Sequence, residues 1–187
     1  MNANPDDMKK QLQTDTLILV DEDDNEIGSC EKEAAHLGQG KLHRAFSVFL
    51  FNPEGKLLIQ QRSPQKMLWG GYWANSCCSH PRLGESTEDA AYRRIQEELG
   101  VSSELRYLYK FVYHAEFGDV GSEHENCYVY AGQIDGEVNV DPDEISDWRF
   151  ITPDELTAEI EANGERFSPW LKMEWAEIRA NYLDEIR

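Results

Sequence analysis

Short apolar runs separated by turn residues dominate the first 150 positions, and this pattern predicts β-strands. The predicted strands cover residues 16–20, 46–51, 57–61, 72–78, 105–115, 123–134 and 148–151. Asn52-Pro53-Glu54-Gly55 separates two of these runs and is typical of a tight turn. We therefore expect a sheet built from several short strands.

Helical periodicity predicts three helices, over residues 86–99, 153–164 and 168–187. In the first of these, apolar residues recur every four positions from Ala91 to Leu99. Ser86 and Asp89 resemble a capping box at its start, and Gly100 is placed to end it. Both later helices begin with a proline, which suits the first helical turn.

The order of strands, one central helix, strands and terminal helices predicts an α+β fold, in which a mixed β-sheet is packed between helices. A chain of 187 residues fits one domain, and it contains no internal repeat or long linker that would divide it. Residues 1–14 are polar. We expect a flexible N-terminal segment there, followed by a single domain over residues 15–187.

The chain is strongly acidic, with 36 Asp and Glu against 18 Lys and Arg and a net charge of −18. Because this charge repels phosphate backbones and anionic lipid surfaces, we expect no nucleic-acid or membrane partner. No apolar run has the length of a membrane-spanning helix, and the first residues lack the regions of a signal peptide. Four cysteines without zinc or disulfide spacing indicate reduced thiols in a cytoplasmic protein. The sequence leaves the oligomeric state open and is compatible with a monomer.

Three histidines and two glutamates form a candidate metal site: His36, His43, His80, Glu123 and Glu125. Glu123 and Glu125 are two positions apart on a predicted strand, so their side chains point to the same side. Two converging carboxylates are costly unless a cation lies between them, and histidine adds nitrogen ligands that favour zinc, manganese or iron. The spacing alone is not diagnostic, because paired acidic residues are also common on solvated surfaces.

Cys78 and His80 are also two positions apart, so an extended segment places both on one face. A thiol beside a metal-bound imidazole can act as a proton donor or a nucleophile. The alternative is a buried cysteine that packs as a small apolar side chain. Cys77, which should point the other way, fits that alternative.

Arg94 and Glu98 lie one turn apart on the predicted helix 86–99. They form either a surface ion pair of small energetic value, or a site where Glu98 binds a hard cation such as magnesium and Arg94 binds a phosphate. Lys32, Arg62 and Lys66 lie near the same segments in a chain that has few cations. Their clustering favours an anionic ligand, although solvation is the common alternative for each residue alone.

The segment from Glu85 to Val101 resembles a degenerate Nudix box, whose usual pattern is G-x5-E-x7-R-E-U-x-E-E-x-G-U, where U is aliphatic. Ser79 replaces the first glycine, and Arg94 replaces a glutamate that ordinarily helps to bind the hydrolytic metal. Further segments resemble the signature of type I isopentenyl-diphosphate isomerases. They are Glu31-Lys32-Glu33-Ala34-Ala35-His36, Leu42-His43, Asn75-Ser76-Cys77-Cys78-Ser79-His80-Pro81, Gly84-Glu85-Ser86, Glu123-His124-Glu125-Asn126 and Phe167-Ser168-Pro169-Trp170.

This resemblance implies an isomerase on a Nudix-like fold that interconverts isopentenyl diphosphate and dimethylallyl diphosphate in isoprenoid biosynthesis. It implies a manganese or zinc ion bound by His36, His43, His80, Glu123 and Glu125. It also implies a magnesium ion, held by Glu98 and the backbone carbonyl of Cys78, that bridges to the substrate diphosphate.

The resemblance further implies acid/base roles for Cys78 and Glu125, with Tyr113 assisting the glutamate. Trp170 matches the aromatic residue that lines the hydrocarbon pocket. The positions that contact the diphosphate correspond to Lys32, Arg62, Lys66 and Arg94. The expected partner is therefore a small isoprenoid diphosphate.

Two other functions stay open at the level of the sequence. A Nudix hydrolase acting on a nucleoside or isoprenoid diphosphate would release phosphate, but Arg94 and the Cys78–His80 pair argue against it. A noncatalytic metal- or diphosphate-binding module would bind metal without turnover. Replacing Cys78 by alanine separates the cases, because the isomerase should lose nearly all activity, a hydrolase need not, and a binding module should be unchanged.

Overall fold

The computed structural model describes residues 16–186, so the predicted flexible segment over residues 1–14 lies outside the described residues. Within these residues, nine strands form one sheet: β1 (Thr16–Val20), β2 (Glu26–Glu31), β3 (His43–Phe51), β4 (Leu57–Arg62), β5 (Trp73–Ala74), β6 (Cys77–Ser79), β7 (Leu105–Phe117), β8 (Gly121–Gln133) and β9 (Ile145–Ile151). The helices of the same range are α1 (Lys32–His36), α2 (Thr87–Leu99), α3 (Pro153–Asn163), α4 (Pro169–Asn181) and α5 (Leu183–Ile186), with a 3-10 turn at Gly164–Arg166. None of the helices within residues 16–186 is long and apolar enough to cross a membrane.

Strand β3 is the centre of a mixed sheet. It pairs in parallel with β8 over its whole length, from His43 opposite Glu125 to Phe51 opposite Gln133. It also pairs antiparallel with β1, β4 and β6. Strand β7 extends the sheet by an antiparallel pairing with β8, and β9 pairs with β4. The predicted mixed sheet of an α+β fold is therefore confirmed.

Helices cover both faces of this sheet, because β3 is apolar on both of its sides. Phe46, Val48 and Leu50 face one way and pack against the apolar stripe of α2. Phe49 and Phe51 face the other way and pack against α4. The sequence of the central strand is therefore a continuous apolar run instead of an alternation of apolar and polar residues. The predicted arrangement of a sheet between helices is confirmed.

Local signals define the ends of α2 as predicted. The Ser86 side chain accepts a hydrogen bond from the backbone N–H of Asp89, and Gly100 ends the helix at a φ of 67°. This conformation is strained for residues with a Cβ, and glycine adopts it without that strain. The helix between these two caps carries Arg94 and Glu98.

The structure differs from the predicted elements in several places. Strand β2 and helix α1 were not predicted, because β2 is an edge strand with mostly exposed residues and α1 is little more than one turn. The predicted strand over residues 72–78 is two short strands, β5 and β6. The predicted helix 168–187 ends at Asn181, because Tyr182 leaves the helical region at a φ of −129° and a separate short helix buries Leu183 and Ile186.

Candidate active site

The sheet brings the five predicted metal ligands together although they are far apart in sequence. The strand register places His43 beside Glu125 on the parallel strands β3 and β8. Glu123 precedes Glu125 by two residues, so it lies on the same face of β8. His36 ends α1 and His80 follows β6. Their ligand atoms all lie within 4.8 Å of one another, in a mostly buried cluster.

Backbone carbonyls fix the tautomers of two of these histidines. His36 Nδ1 lies 2.6 Å from the carbonyl oxygen of Lys32, and His43 Nδ1 lies 2.7 Å from that of Lys41. Since a carbonyl oxygen only accepts, each Nδ1 carries the proton and each Nε2 keeps a lone pair that points into the cluster. This second contact is what orients a histidine ligand in metal sites.

The remaining contacts place acceptors against acceptors. His43 Nε2 lies 3.1 Å from His80 Nε2, which in turn lies 3.1 Å from Glu125 Oε1. Glu123 Oε2 lies 2.9 Å from His36 Nε2, yet it is buried and makes no hydrogen bond with any residue in 16–186. A single ring proton on His80 cannot satisfy all these atoms, whereas one divalent cation would. The residues therefore fit a divalent cation with nitrogen and oxygen ligands.

The pKa shifts of His80 and Glu125 favour the forms that bind a metal, whereas the shift of His36 favours a protonated ring whose Nε2 proton a cation would displace. Burial and the neighbouring His43 hold the pKa of His80 well below its usual value, which keeps its ring neutral. Burial acts to lower the pKa of His36, but the Glu123 carboxylate outweighs it and the net shift is upward. Burial likewise acts to raise the pKa of Glu125, and contacts with His43 and Tyr113 reverse the effect, so this carboxyl is held ionised.

Glu125 has one oxygen on the cluster and the other on Tyr113. The Tyr113 hydroxyl donates to Glu125 Oε2 at 2.7 Å, because the two residues are opposite each other on β7 and β8. Burial raises the pKa of Tyr113 well above its usual value, so the hydroxyl keeps its proton for this bond. Tyr113 therefore contacts the carboxyl that the sequence predicts it to assist.

Cys78 opens into the same cavity as Glu125, at the point where β6 pairs with Ser47 of β3. Burial raises the pKa of its thiol to about 12, with Arg62 acting in the opposite direction. Cys77 points to the other face, where it packs into the core under α2. Cys78 therefore lines the cavity, whereas Cys77 lies in the core.

The cavity has a volume of about 300 Å³, and one part of its wall is apolar and aromatic. Trp170 lies there in edge contact with Trp69, with ring centroids 5.4 Å apart, and its indole N–H donates to Asn75. Arg62 lies over the Trp170 ring at 5.0 Å. Its guanidinium is held by the carbonyl oxygens of Leu68 and Trp69.

The charged part of the wall carries the four predicted basic residues, Lys32, Arg62, Lys66 and Arg94. Arg94 does not point freely into solvent, since its guanidinium contacts Glu97, Glu98 and Glu144. Glu98 is only 3% exposed, and its Oε1 accepts from Arg94. Burial and the nearby cations Lys32 and Arg62 lower the pKa of Lys66 to about 8, while Glu98 acts against this shift.

Several residues of this site were not predicted. Leu68 and Trp69 close the apolar end, and Asn75 fixes the indole of Trp170. Trp69 has a φ of 48°, which is unusual for a bulky residue and turns its carbonyl towards Arg62. Glu144 joins Lys66 to Arg94. No signal in the sequence separates Glu144 from the acidic residues around it, and the aromatic residues resembled ordinary core.

Comparisons with known proteins agree with this geometry. The model of the NUDIX domain family matches residues 41–171. A protein of Deinococcus radiodurans with a solved structure has a TM-score of 0.70 at 27% identity, covering 89% of this chain and 99% of that one. A MutT NUDIX hydrolase from Burkholderia pseudomallei has a TM-score of 0.59 at 21% identity, covering 74% and 98%, and this likeness concerns the fold alone. The fold and the matched region together define a NUDIX-domain protein.

Two bacterial relatives with higher sequence identity identify the family within the NUDIX-domain proteins. Isopentenyl-diphosphate Delta-isomerase 1 of Photorhabdus laumondii is 44% identical over 174 residues, which is 92% of this chain and 99% of the relative. The isopentenyl-diphosphate Delta-isomerase of Serratia proteamaculans is 45% identical over 168 residues, or 90% and 93%. The chain belongs to the isopentenyl-diphosphate Delta-isomerase family.

Proposed function

We propose that this protein interconverts isopentenyl diphosphate and dimethylallyl diphosphate, as an enzyme of isoprenoid biosynthesis. The observation that carries the proposal is the placement of Glu125. One of its oxygens faces the His/Glu cluster, the other accepts from Tyr113, and Cys78 lines the same cavity. A carboxyl and a thiol in one apolar-walled cavity are the acid and base that a double-bond shift requires.

The reaction adds a proton at one carbon and removes one from another. An alkene is a very weak base, and its protonation gives a tertiary carbocation that water would capture. The site therefore needs a strong local acid, a base nearby and few water molecules. We assign the proton transfers to Glu125 and Cys78, with Tyr113 holding the carboxyl of Glu125 in place.

Trp170 is assigned to the carbocation. A cation over an indole ring is attracted by about 0.5–2 kcal/mol, and more so where water is excluded. The guanidinium of Arg62 lies over the Trp170 ring at 5.0 Å, an instance of this attraction at the same residue. Leu68 and Trp69 bury the same end of the cavity.

The diphosphate takes no part in the proton transfers, and its binding energy serves to position the alkene. Lys32, Arg62, Lys66 and Arg94 are assigned to it because all four line the cavity. We assign manganese or zinc to the three histidines with Glu123 and Glu125, and magnesium to Glu98 with the backbone carbonyl of Cys78. These ions would supply positive charge to the Glu125 carboxyl and to the diphosphate.

We also propose that residues 15–187 act as one domain in the cytoplasm. All four cysteines are unpaired, which agrees with a reducing compartment.

The proposal is tested by incubating purified protein with isopentenyl diphosphate, magnesium and manganese and following the products by phosphorus and proton NMR. We expect dimethylallyl diphosphate without inorganic phosphate. Phosphate release without isomerisation would identify a hydrolase instead, and folded, metal-loaded protein that converts nothing would identify a binding module. Either result would overturn the assignment.

A further inference from the structure

Glu144 lies at a junction between the two segments that supply cations to the cavity. It precedes β9, and its backbone carbonyl accepts from the N–H of Ser63 at 2.9 Å. Ser63 in turn accepts from the N–H of Lys66 at 3.1 Å, so the backbone of Glu144 is tied to the turn that carries this lysine. A few residues earlier, the N–H of Asp141 donates to the carbonyl of Glu98 at 2.9 Å, which ties the same loop to α2.

The carboxylate of Glu144 divides its two oxygens between two cations. Oε1 accepts from Arg94 Nη2 at 3.0 Å, and Oε2 forms a close ion pair with Lys66 Nζ. The same Arg94 Nη2 lies 2.5 Å from Glu98 Oε1. One carboxylate therefore fixes the separation of Lys66 and Arg94 and connects both to Glu98.

This arrangement differs from an ordinary surface ion pair. The side chains of Glu144, Lys66 and Arg94 are only 23%, 24% and 18% exposed, and both cations line the cavity. Glu97 is the useful comparison, because it contacts Arg94 Nη1 at 3.0 Å but is 40% exposed and forms its other ion pairs with Arg82 and Arg93 instead of Lys66. Because Glu144 holds both cations in place, Lys66 and Arg94 need little reorganisation to meet an anion.

We propose that Glu144 is a positioning residue for the diphosphate, which sets the separation of Lys66 and Arg94 and so prepares the charged end of the cavity. This inference rests on the proposed function, since it concerns the same site. It assigns no contact between Glu144 and the reacting carbons. It predicts an effect on binding of the anion that is larger than the effect on the chemical step.

The sign of the effect distinguishes positioning from simple charge. By charge alone, removing the Glu144 carboxylate from beside two cavity-lining cations strengthens the binding of another anion. Loss of positioning has the opposite sign. In Glu144→Gln the amide can still accept from Arg94, but it no longer neutralises the ammonium of Lys66.

The test measures the binding of inorganic pyrophosphate to the magnesium- and manganese-loaded protein by calorimetry, which requires no turnover. For Glu144→Gln we expect the dissociation constant to rise about tenfold, the effect of losing one charge-assisted contact. The matched control, Glu97→Gln, removes another carboxylate from Arg94 and should change the constant less than about twofold. An unchanged or smaller dissociation constant for Glu144→Gln would overturn the proposal.

Kinetics and a double variant complete the test. For isopentenyl diphosphate we expect KM to rise with kcat changed less than about threefold, whereas a loss confined to kcat would contradict positioning. Adding Glu144→Gln to Lys66→Met should weaken pyrophosphate binding less than adding it to the wild type, and full additivity would contradict an action through Lys66. If Glu144→Gln does not fold, Glu144→Asp, which is too short to reach both cations, replaces it. Because pyrophosphate binding is independent of isomerisation, a protein without isomerase activity would refute the proposed function and leave this inference testable.

Discussion

The buried carboxyl of Glu174 provides a quantitative test of the packing behind the site. It lies on the inner face of α4, one turn after Trp170, and is fully buried. Its Oε1 accepts from Cys127 Sγ at 3.5 Å, and its Oε2 makes no hydrogen bond with any residue in the described range 16–186. Burial raises the pKa of this carboxyl from 4.5 to about 8, although Ser47 and Cys127 act against the shift.

The size of the effect follows from linkage between protonation and folding. Because the folded-state pKa lies above the unfolded value, the protonated carboxyl carries no penalty below pH 4.5 and the fold loses stability as the pH rises towards 8. The shift corresponds to a loss on the order of 3 kcal/mol between pH 5 and pH 8. Glu174→Gln cannot ionise and should not show this loss. Its melting temperature should therefore gain on the wild type by about 6–12 °C between pH 5 and pH 8.

The assay is thermal unfolding of both proteins at several pH values between 5 and 8, read as the difference between variant and wild type. Taking the difference removes the titration of the histidines, which both proteins share. Glu177→Gln, which removes a charge from the exposed face of the same helix, controls for net charge. A difference between Glu174→Gln and the wild type that stays constant over this range would refute the reasoning.

Further predictions concern the site itself. Cys78→Ala should lower kcat at least about 100-fold with metal content unchanged, while Cys77→Ala should keep the activity, as product NMR and metal analysis would show; equal losses in both would contradict the assignment. Tyr113→Phe removes the 2.7 Å hydrogen bond to Glu125 and should lower kcat about tenfold at unchanged metal content, and wild-type kinetics would exclude this role. Removal of the metal by a chelator should lower the melting temperature and abolish activity. Manganese or zinc should restore both in the wild type but not in the His43→Ala variant. A melting temperature that does not change on chelation would argue against a metal at the His/Glu cluster.

Much of the fold was predictable because it depends on local signals. The runs that became β3 and β4, the turn between them, and the capped helix ended by Gly100 each have a local physical cause. Strand β2 could not be predicted in this way. Its residues are mostly exposed, and it is a strand only because β1 offers it a partner.

The site too was predictable only where local signals define it. The five side chains predicted as metal ligands lie together in one cluster, and the alternation of side chains along a strand explains the spacing of Glu123 and Glu125. The convergence of His36, His43 and His80 depends on the register between β3, β6 and β8, which no single segment encodes. Local spacing therefore indicated candidate ligands. The resemblance to a family was needed to distinguish them from paired acidic residues on a solvated surface.

Glu144 shows why the remaining residues could not be found. It lies among acidic residues of similar appearance before β9, and its distinction is that two cations from distant segments meet it. Trp69 and Leu68 likewise became site residues because their loop returns over β4. Contacts between segments that are far apart in sequence leave no local pattern.

The central claim is that Glu125 and Cys78 exchange protons with the carbons of an isoprenoid diphosphate. Proton NMR of the protein with isopentenyl diphosphate, magnesium and manganese in heavy water tests it most directly. We predict that dimethylallyl diphosphate carrying deuterium from the solvent appears and that no phosphate is released. The variants Cys78→Ala and Glu125→Gln should not form this product. A spectrum of isopentenyl diphosphate that stays unchanged with folded, metal-loaded protein would contradict the account.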